Sequence, residues 1–256
     1  MTALVGPGRH VLHRNLVVYR HSWSIIVSGF FEPVFYLVAM GLGVGELVGD
    51  VAFGGTEVPY REFVAPALLA SSAMNGALYE STMNIFHKLR YARTYHAILA
   101  TPLGVGDVAA GEVAWCVSRC AIYSAGFLGV MLAMGLVPSA WAVLALPAAV
   151  LIGFAFSAVG MAGTTWMRSW ADGDVVTLAQ TVLFLFSATF YPLSTYPEVL
   201  QWVVRATPLY QGVDLMRALV LGTVEVGDLG HVAYLLAMGL AGMYVVRRRM
   251  ATLLLD

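Results

Sequence analysis

A chain of 256 residues with 59% hydrophobic and only 11% charged side chains lacks the composition of a soluble domain, in which about a quarter of residues are charged. Its formal net charge of −1 leaves no basic surface for nucleic acid. Cys116 and Cys120, four apart in an apolar run, imply packing rather than a disulfide framework or a metal site.

Before the first apolar run stand Arg9, His10, His13, Arg14, Arg20 and His21 without a cleavage-type site, so no secretory signal is expected. Leu12, Leu16, Tyr19 and Trp23 recur on one helical stripe, with His13, Arg14, Arg20 and His21 mostly opposite. The pattern predicts a basic amphipathic helix over 9–22, lying flat in the inner membrane interface. A solvated, frayed lead-in is the plainer alternative.

A bilayer crossing needs about 20 mainly apolar residues. Six stretches qualify as candidates, near 23–45, 63–86, 113–136, 140–167, 175–191 and 229–246. Glu32 lies midway along the first, ahead of Pro33, which should kink that helix. Gly41 and Gly45 form a GxxxG spacing, a weak signal for close helix packing. The second stretch is the most polar, with Ser71, Ser72, Asn75, Glu80 and Ser81, and should face protein or a polar cavity. Arg119 lies two turns into the third, at a depth similar to Glu80. A charge in hydrocarbon costs at least about 2.5 kcal/mol, so each of these groups needs a partner or water. Two readings stay open. Glu80 and Arg119 pair as interhelical glue, or Glu32, Asn75, Glu80 and Arg119 line a transport path.

Six crossings put both termini on one side. The cytosolic assignment gives that side Arg9, Arg14, Arg20, Lys88, Arg90, Arg93, Arg168, Arg247, Arg248 and Arg249, ten of the fourteen basic residues. Arg61, Arg205 and Arg217 fall outside, among eight acids from Glu46 to Asp228. Between the second and third crossings, 87–112 holds the longest polar interruption. Its Tyr91, Tyr95, Ile98 and Leu99 are expected on one helical face and Arg90 and Arg93 on another, with the helix stopping before Thr101-Pro102. A positive loop would set topology without those tyrosines, so the segment reads as a contact for a partner.

Residues 192–228 are too apolar for an ordinary loop. "PEVLQWVVRA" opens with Pro197 in the first helical turn, and "TPLYQGVDLMRALVLG" offers Thr207 as N-cap, Pro208 at N1 and Gly222 as the stop. Helices this short predict an outer re-entrant hairpin. Asp214 and Arg217, three apart, are expected to pair. HExxH, GxSxG and P-loop patterns are missing, as is any His/Asp cluster at metal-ligand spacing. The expectation is a chain that is not an enzyme, holds no metal and does not hydrolyse ATP alone.

Two blocks, "YESTMNIFHKLRYARTYHAILATPLGVGDVAAGEVAW" and "FSATFYPLSTYPEVLQWVVRATPLYQGVDLMRALVLG", resemble the membrane subunits of ABC-2 type ABC transporters. The Nod-factor (lipo-chitooligosaccharide) export permeases and the daunorubicin-resistance type drug exporters are the most similar branch, and the likeness runs over nearly the whole chain. The resemblance implies an all-α, type V exporter-like membrane domain over 1–256. It implies a non-catalytic permease that exports an amphipathic drug, glycolipid or lipid-linked saccharide across the cell membrane. Two permease copies, a homodimer being the expected form, would work with two separate ATP-binding subunits. ATP and Mg would sit on those subunits, with no cofactor on this chain.

By the same resemblance, His87 to Ala100 would be the coupling helix seated in a groove of the ATPase, through Lys88, Arg90, Tyr91, Arg93, Tyr95, Ile98 and Leu99. Residues 192–228, with Tyr191, Pro192, Pro208, Asp214 and Arg217, would form the hairpin near the exit. One departure is visible: the family block reads close to Ser-Gly-x-Phe-Phe-Pro, whereas here Ser187 is followed by Ala188, Thr189, Phe190, Tyr191 and Pro192. The competing readings are a proton-driven secondary transporter using Glu32 and Glu80, which should show an inverted repeat that is not detected, and a non-transporting membrane scaffold.

Overall fold

A computed structural model describes residues 8–19 and 34–255. Glu32, Pro33, Arg20, His21 and Trp23 lie outside the described residues. Helix α1 (Arg9–Tyr19) buries Val11 and Asn15 against the rest of the protein and leaves Leu16, Val17 and Val18 exposed. Of the apolar stripe, Leu12 is half-buried and Leu16 exposed, while the side chains of Tyr19 and Trp23 lie outside the described residues.

Helix α2 (Val34–Val48) contains a π turn at Ala39–Val44, which overlaps the GxxxG stretch. Close packing was expected of those glycines, but side chains at Gly41 or Gly45 would meet their neighbours at ordinary contact distances of 3.5 and 3.7 Å. The tight glycines lie elsewhere. Strands β1 (Asp50–Phe53) and β2 (Thr56–Pro59) then form an antiparallel hairpin, pairing Asp50 with Pro59 and Phe53 with Thr56. Its turn residues Gly54 and Gly55 both have positive φ, 59° and 80°, the backbone that a tight two-residue turn demands.

Helix α3 (Tyr60–Tyr79) runs on through π turns at Glu80–Asn84 and His87–Tyr91. A π turn displaces carbonyls from the regular ladder, and Thr164 Oγ1 donates to the Ser81 carbonyl at 3.0 Å. At Arg93 the backbone turns left-handed (φ 47°), and the short α4 (Thr94–Leu99) sets off separately. Helix α5 (Val105–Ala133) starts from Gly104, whose N–H donates to Asp107 Oδ2. A 3₁₀ turn (Ala140–Leu144) leads into α6 (Ala145–Thr164), followed by α7 (Asp172–Phe186). Helices α8 (Glu198–Ala206) and α9 (Pro208–Leu221) form a helical hairpin, and α10 (Asp228–Leu255) ends the chain. Thr207 caps α9 by accepting from the Tyr210 N–H, and Gly222 stops it at φ 85°. Pro197 sits at the N-cap of α8, one place before the first helical turn.

Among the described residues, three helices are long and apolar enough to cross a membrane: Val105–Ala133, Ala140–Thr164 and Asp228–Leu254. The α6 helix is the central element, packed on α3, α5 and α10. Small residues set the closest approaches. A Cβ on Gly242 of α10 would stand 2.8 Å from the Ala158 backbone carbon, and one on Gly153 of α6 would stand 2.5 Å from Cys120 Sγ. Both cysteines are buried free thiols, and Cys120 donates to the Ala149 carbonyl at 3.5 Å. The larger core joins α3, α5, α6 and α9, while a smaller one gathers Tyr95, Val108, Val113, Met161 and Val246.

Candidate functional site

Three polar constellations lie along α3. At the far end of the run that continues α3, the π turn at His87–Tyr91 swings Lys88 inward, where it is 7% exposed. Its Nζ donates to Glu112 Oε1 at 3.0 Å and Oε2 at 2.8 Å, and to Asn15 Oδ1 at 3.2 Å. Asn15 Nδ2 in turn donates to Glu112 Oε2 at 2.9 Å. All three ammonium protons are used, so the buried charge is satisfied. The cluster ties α1, the end of α3 and the start of α5 into one unit. Asn15 and Glu112 were not singled out from the sequence.

The outward side of this end differs from the expected arrangement. The break at Ala92 and Arg93 splits the segment, so Tyr91, Tyr95, Ile98 and Leu99 do not share one face. Tyr95 is fully buried, and Ile98 and Leu99 are half-buried against the smaller core. The surface instead presents His87, Arg90, Tyr91, Arg93 and His96. The Tyr91 and Trp170 rings stack at 5.6 Å, and Arg90 Nη2 donates to the Met167 carbonyl at 3.2 Å, joining the segment to the loop before α7. That loop is closed by Asp172, whose carboxylate accepts from the Arg168 and Ser169 N–H groups and is held below the usual carboxylate range by them.

At mid-depth, Glu80 Oε1 accepts from Asn84 Nδ2 at 2.6 Å and Trp115 Nε1 at 2.9 Å, and Oε2 pairs with Arg119 Nη1. Arg119 Nη2 donates to the Tyr123 hydroxyl at 2.7 Å. The pairing reading of Glu80 and Arg119 is thus realised in the geometry. Asn75 accepts at Oδ1 from Gln180 Nε2 at 3.0 Å, a polar link between α3 and α7.

At the opposite end, Arg217 of α9 is 1% exposed. Its Nε donates to the Phe63 carbonyl at 3.1 Å, and Nη2 to the Ala188 and Thr189 carbonyls at 2.7 and 2.9 Å. The guanidinium carbon lies 3.7 Å from the Phe63 ring centroid. The expected Asp214–Arg217 pair is not made: Arg217 points inward to α3, while the Asp214 carboxylate accepts from Tyr210 at 3.3 Å and faces His231 of α10. Pro208 serves as the N1 residue of α9. Tyr191 packs its ring 5.0 Å from Tyr196, and Pro192 lines a cleft of about 170 Å³ with Phe53, Tyr210, Asp214 and Arg217.

Ala188, whose carbonyl Arg217 holds, has φ 55°. A left-handed backbone of this kind is the one that glycine adopts without steric cost. Ala188→Gly relieves about 1 kcal/mol of backbone cost but removes a buried methyl worth about 0.8 kcal/mol, so its thermal unfolding in detergent should match wild type closely. Ala188→Val adds a β-branched side chain to the same backbone and should cost more than about 2 kcal/mol in that assay.

Among the described residues, no group of three or more His, Cys, Asp or Glu side chains could hold a metal ion. Three apolar helices long enough to cross a bilayer, one of them carrying the buried Glu112 and Arg119 paired with Lys88 and Glu80, indicate a multi-pass membrane protein. The chain belongs to the ABC-2 type transporter family, which matches residues 9–221. It is similar to Nodulation protein J of Rhizobium leguminosarum bv. trifolii, at 34% identity over 92% of this chain and 90% of that protein. It also resembles Nodulation protein J of Rhizobium leguminosarum bv. viciae (30% identity; 94% and 93% covered) and of Rhizobium meliloti strain 1021 (30%; 85% and 83%).

Proposed function

We propose that the chain is the non-catalytic permease of an ATP-driven exporter, acting as a homodimer on two separate ATP-binding subunits that carry ATP and Mg. The substrate is amphipathic: a drug, a glycolipid or a lipid-linked saccharide. The protein sits in the cytoplasmic membrane with both termini cytosolic. Helix α3, α7 and the first apolar stretch, which overlaps α2, complete six crossings with the three long apolar helices.

One observation carries the reading. Helix α3 joins the exposed Arg90–Arg93 segment at one end to the Arg217-held hairpin at the other. A push on the segment passes through the Asn15–Lys88–Glu112 cluster to α1 and α5 together, rather than being absorbed in a loose loop. The two non-glycine residues with positive φ among the described residues, Arg93 and Ala188, stand at these two ends. Such backbone is held only where surrounding contacts impose it.

A proton-driven mechanism fits less well, because both Glu80 oxygens are already occupied. In cells, Arg90→Glu combined with Arg93→Glu should abolish export while membrane insertion and thermal stability stay close to wild type. Export at the wild-type rate from that variant would refute the coupling role.

A further inference from the structure

The outer end of α10 holds a cluster that the transport reading does not use. The His231 ring faces three acceptors. Its Nδ1 meets Gln211 Oε1 on α9, and its Nε2 stands 3.3 Å from Asp214 Oδ2 on α9 and 3.9 Å from Asp228 Oδ1 on its own helix. The orientation of the Gln211 amide is fixed, because its Nε2 donates to the Arg205 carbonyl and Oε1 must then face the ring. Nδ1 therefore carries a proton. A neutral ring in that tautomer would aim the Nε2 lone pair at two carboxylates, whereas the imidazolium makes all three contacts attractive.

The remaining charged and titratable groups around it are few. Tyr210 of α9 donates to the same Asp214 oxygen at 3.3 Å, whereas Arg217, one turn along α9, turns inward to backbone carbonyls; Arg205 of α8 offers its carbonyl to Gln211, and the Glu225 N–H donates to Asp228 Oδ2 at 2.8 Å. Helix α6, against which α10 also packs, has no titratable side chain in its sequence. The His231, Asp214 and Asp228 side chains are 19%, 28% and 17% exposed, so protons can exchange with the outer solvent.

We propose that His231 is a proton-operated latch. As the imidazolium it clamps the α8–α9 hairpin to α10, and when its proton leaves to the outer solvent that clamp is released. Tyr234, whose hydroxyl donates to the Ala206 carbonyl at 3.0 Å, keeps a neutral attachment in both states, so release loosens the hairpin without detaching it. The latch stands whether or not ATP drives the chain.

The test uses the full chain in lipid nanodiscs, with spin labels on Val199→Cys in α8 and Leu229→Cys in α10. Both positions are exposed, whereas the native cysteines are buried. Distance distributions are compared at about pH 5 and about pH 8, the range across which imidazoles change charge. The latch predicts one narrow, short distance in acid and a several-fold loss of that population in base. His231→Gln should give the open distribution at both pH values, and Asp214→Asn should shrink the pH response several-fold. The same distribution at both pH values in the parent, or an undiminished response in His231→Gln, would overturn the proposal.

Discussion

Replacing Arg217 by leucine is expected to destabilise the α8–α9 hairpin end of the protein more than any other single change considered. The side chain is 1% exposed and satisfies three carbonyls on two separate segments, Phe63 on α3 and Ala188 and Thr189 after α7. Leucine keeps much of the volume but leaves those buried acceptors without their donor. At about 1–3 kcal/mol for each buried group left unsatisfied, the loss is on the order of 4 kcal/mol. Lysine is the informative control. It retains the charge but, as a single ammonium, cannot reproduce the planar fork that spans both segments. Thermal unfolding in detergent should therefore rank wild type above Arg217→Lys and Arg217→Leu last. Limited proteolysis should show cleavage around residues 187–196 in the leucine variant first. Equal stability of all three proteins would mean that the Ala188–Thr189 segment is held by something other than Arg217.

The second large effect is expected at the other end of α3. Glu112 is fully buried and accepts from Lys88 and Asn15. Glu112→Ala leaves the Lys88 ammonium buried without its counter-charge, a change that typically costs about 3–5 kcal/mol. Removing both charges together, with Lys88→Met and Glu112→Leu, should recover most of that stability, because a buried ion pair is roughly balanced by an apolar pair of similar size. Transport separates the roles: if the cluster passes motion from the coupling segment to α1 and α5, the double variant should fold well yet export poorly. Wild-type export from a well-folded double variant would reduce the cluster to a structural pair.

What could be read from the sequence was local chemistry. Thr207, Pro208 and Gly222 bound α9 because capping and left-handed stops depend on residues within a few positions of one another. The Glu80–Arg119 pair was accessible from sign and depth alone. The Asn15–Lys88–Glu112 cluster was not, since Asn15 and Glu112 lie 97 positions apart and only the packing of α1 on α5 brings them together. Lys88 had one legible sign of difference, being the single lysine in a chain whose other basic residues are all arginine. The break at Arg93 carried no such sign. Left-handed backbone is usually announced by glycine, and arginine there reads as helix, so Tyr91 and Tyr95 were placed on a face they do not share. Arg217 was misassigned for a related reason: a three-residue spacing permits the Asp214 pair, but the helix turns Arg217 toward carbonyls that no local rule reveals.

The central claim is that the exposed Arg90–Arg93 segment is where an ATP-binding subunit takes hold. The most direct test is affinity purification of the full chain from its native membrane in mild detergent, with mass spectrometry of what accompanies it. The account predicts a stoichiometric ATP-binding cassette protein that is retained by wild type and lost from Arg90→Glu combined with Arg93→Glu, with folding unchanged. A wild-type chain that carries no such protein, yet still transports in vesicles, would contradict it.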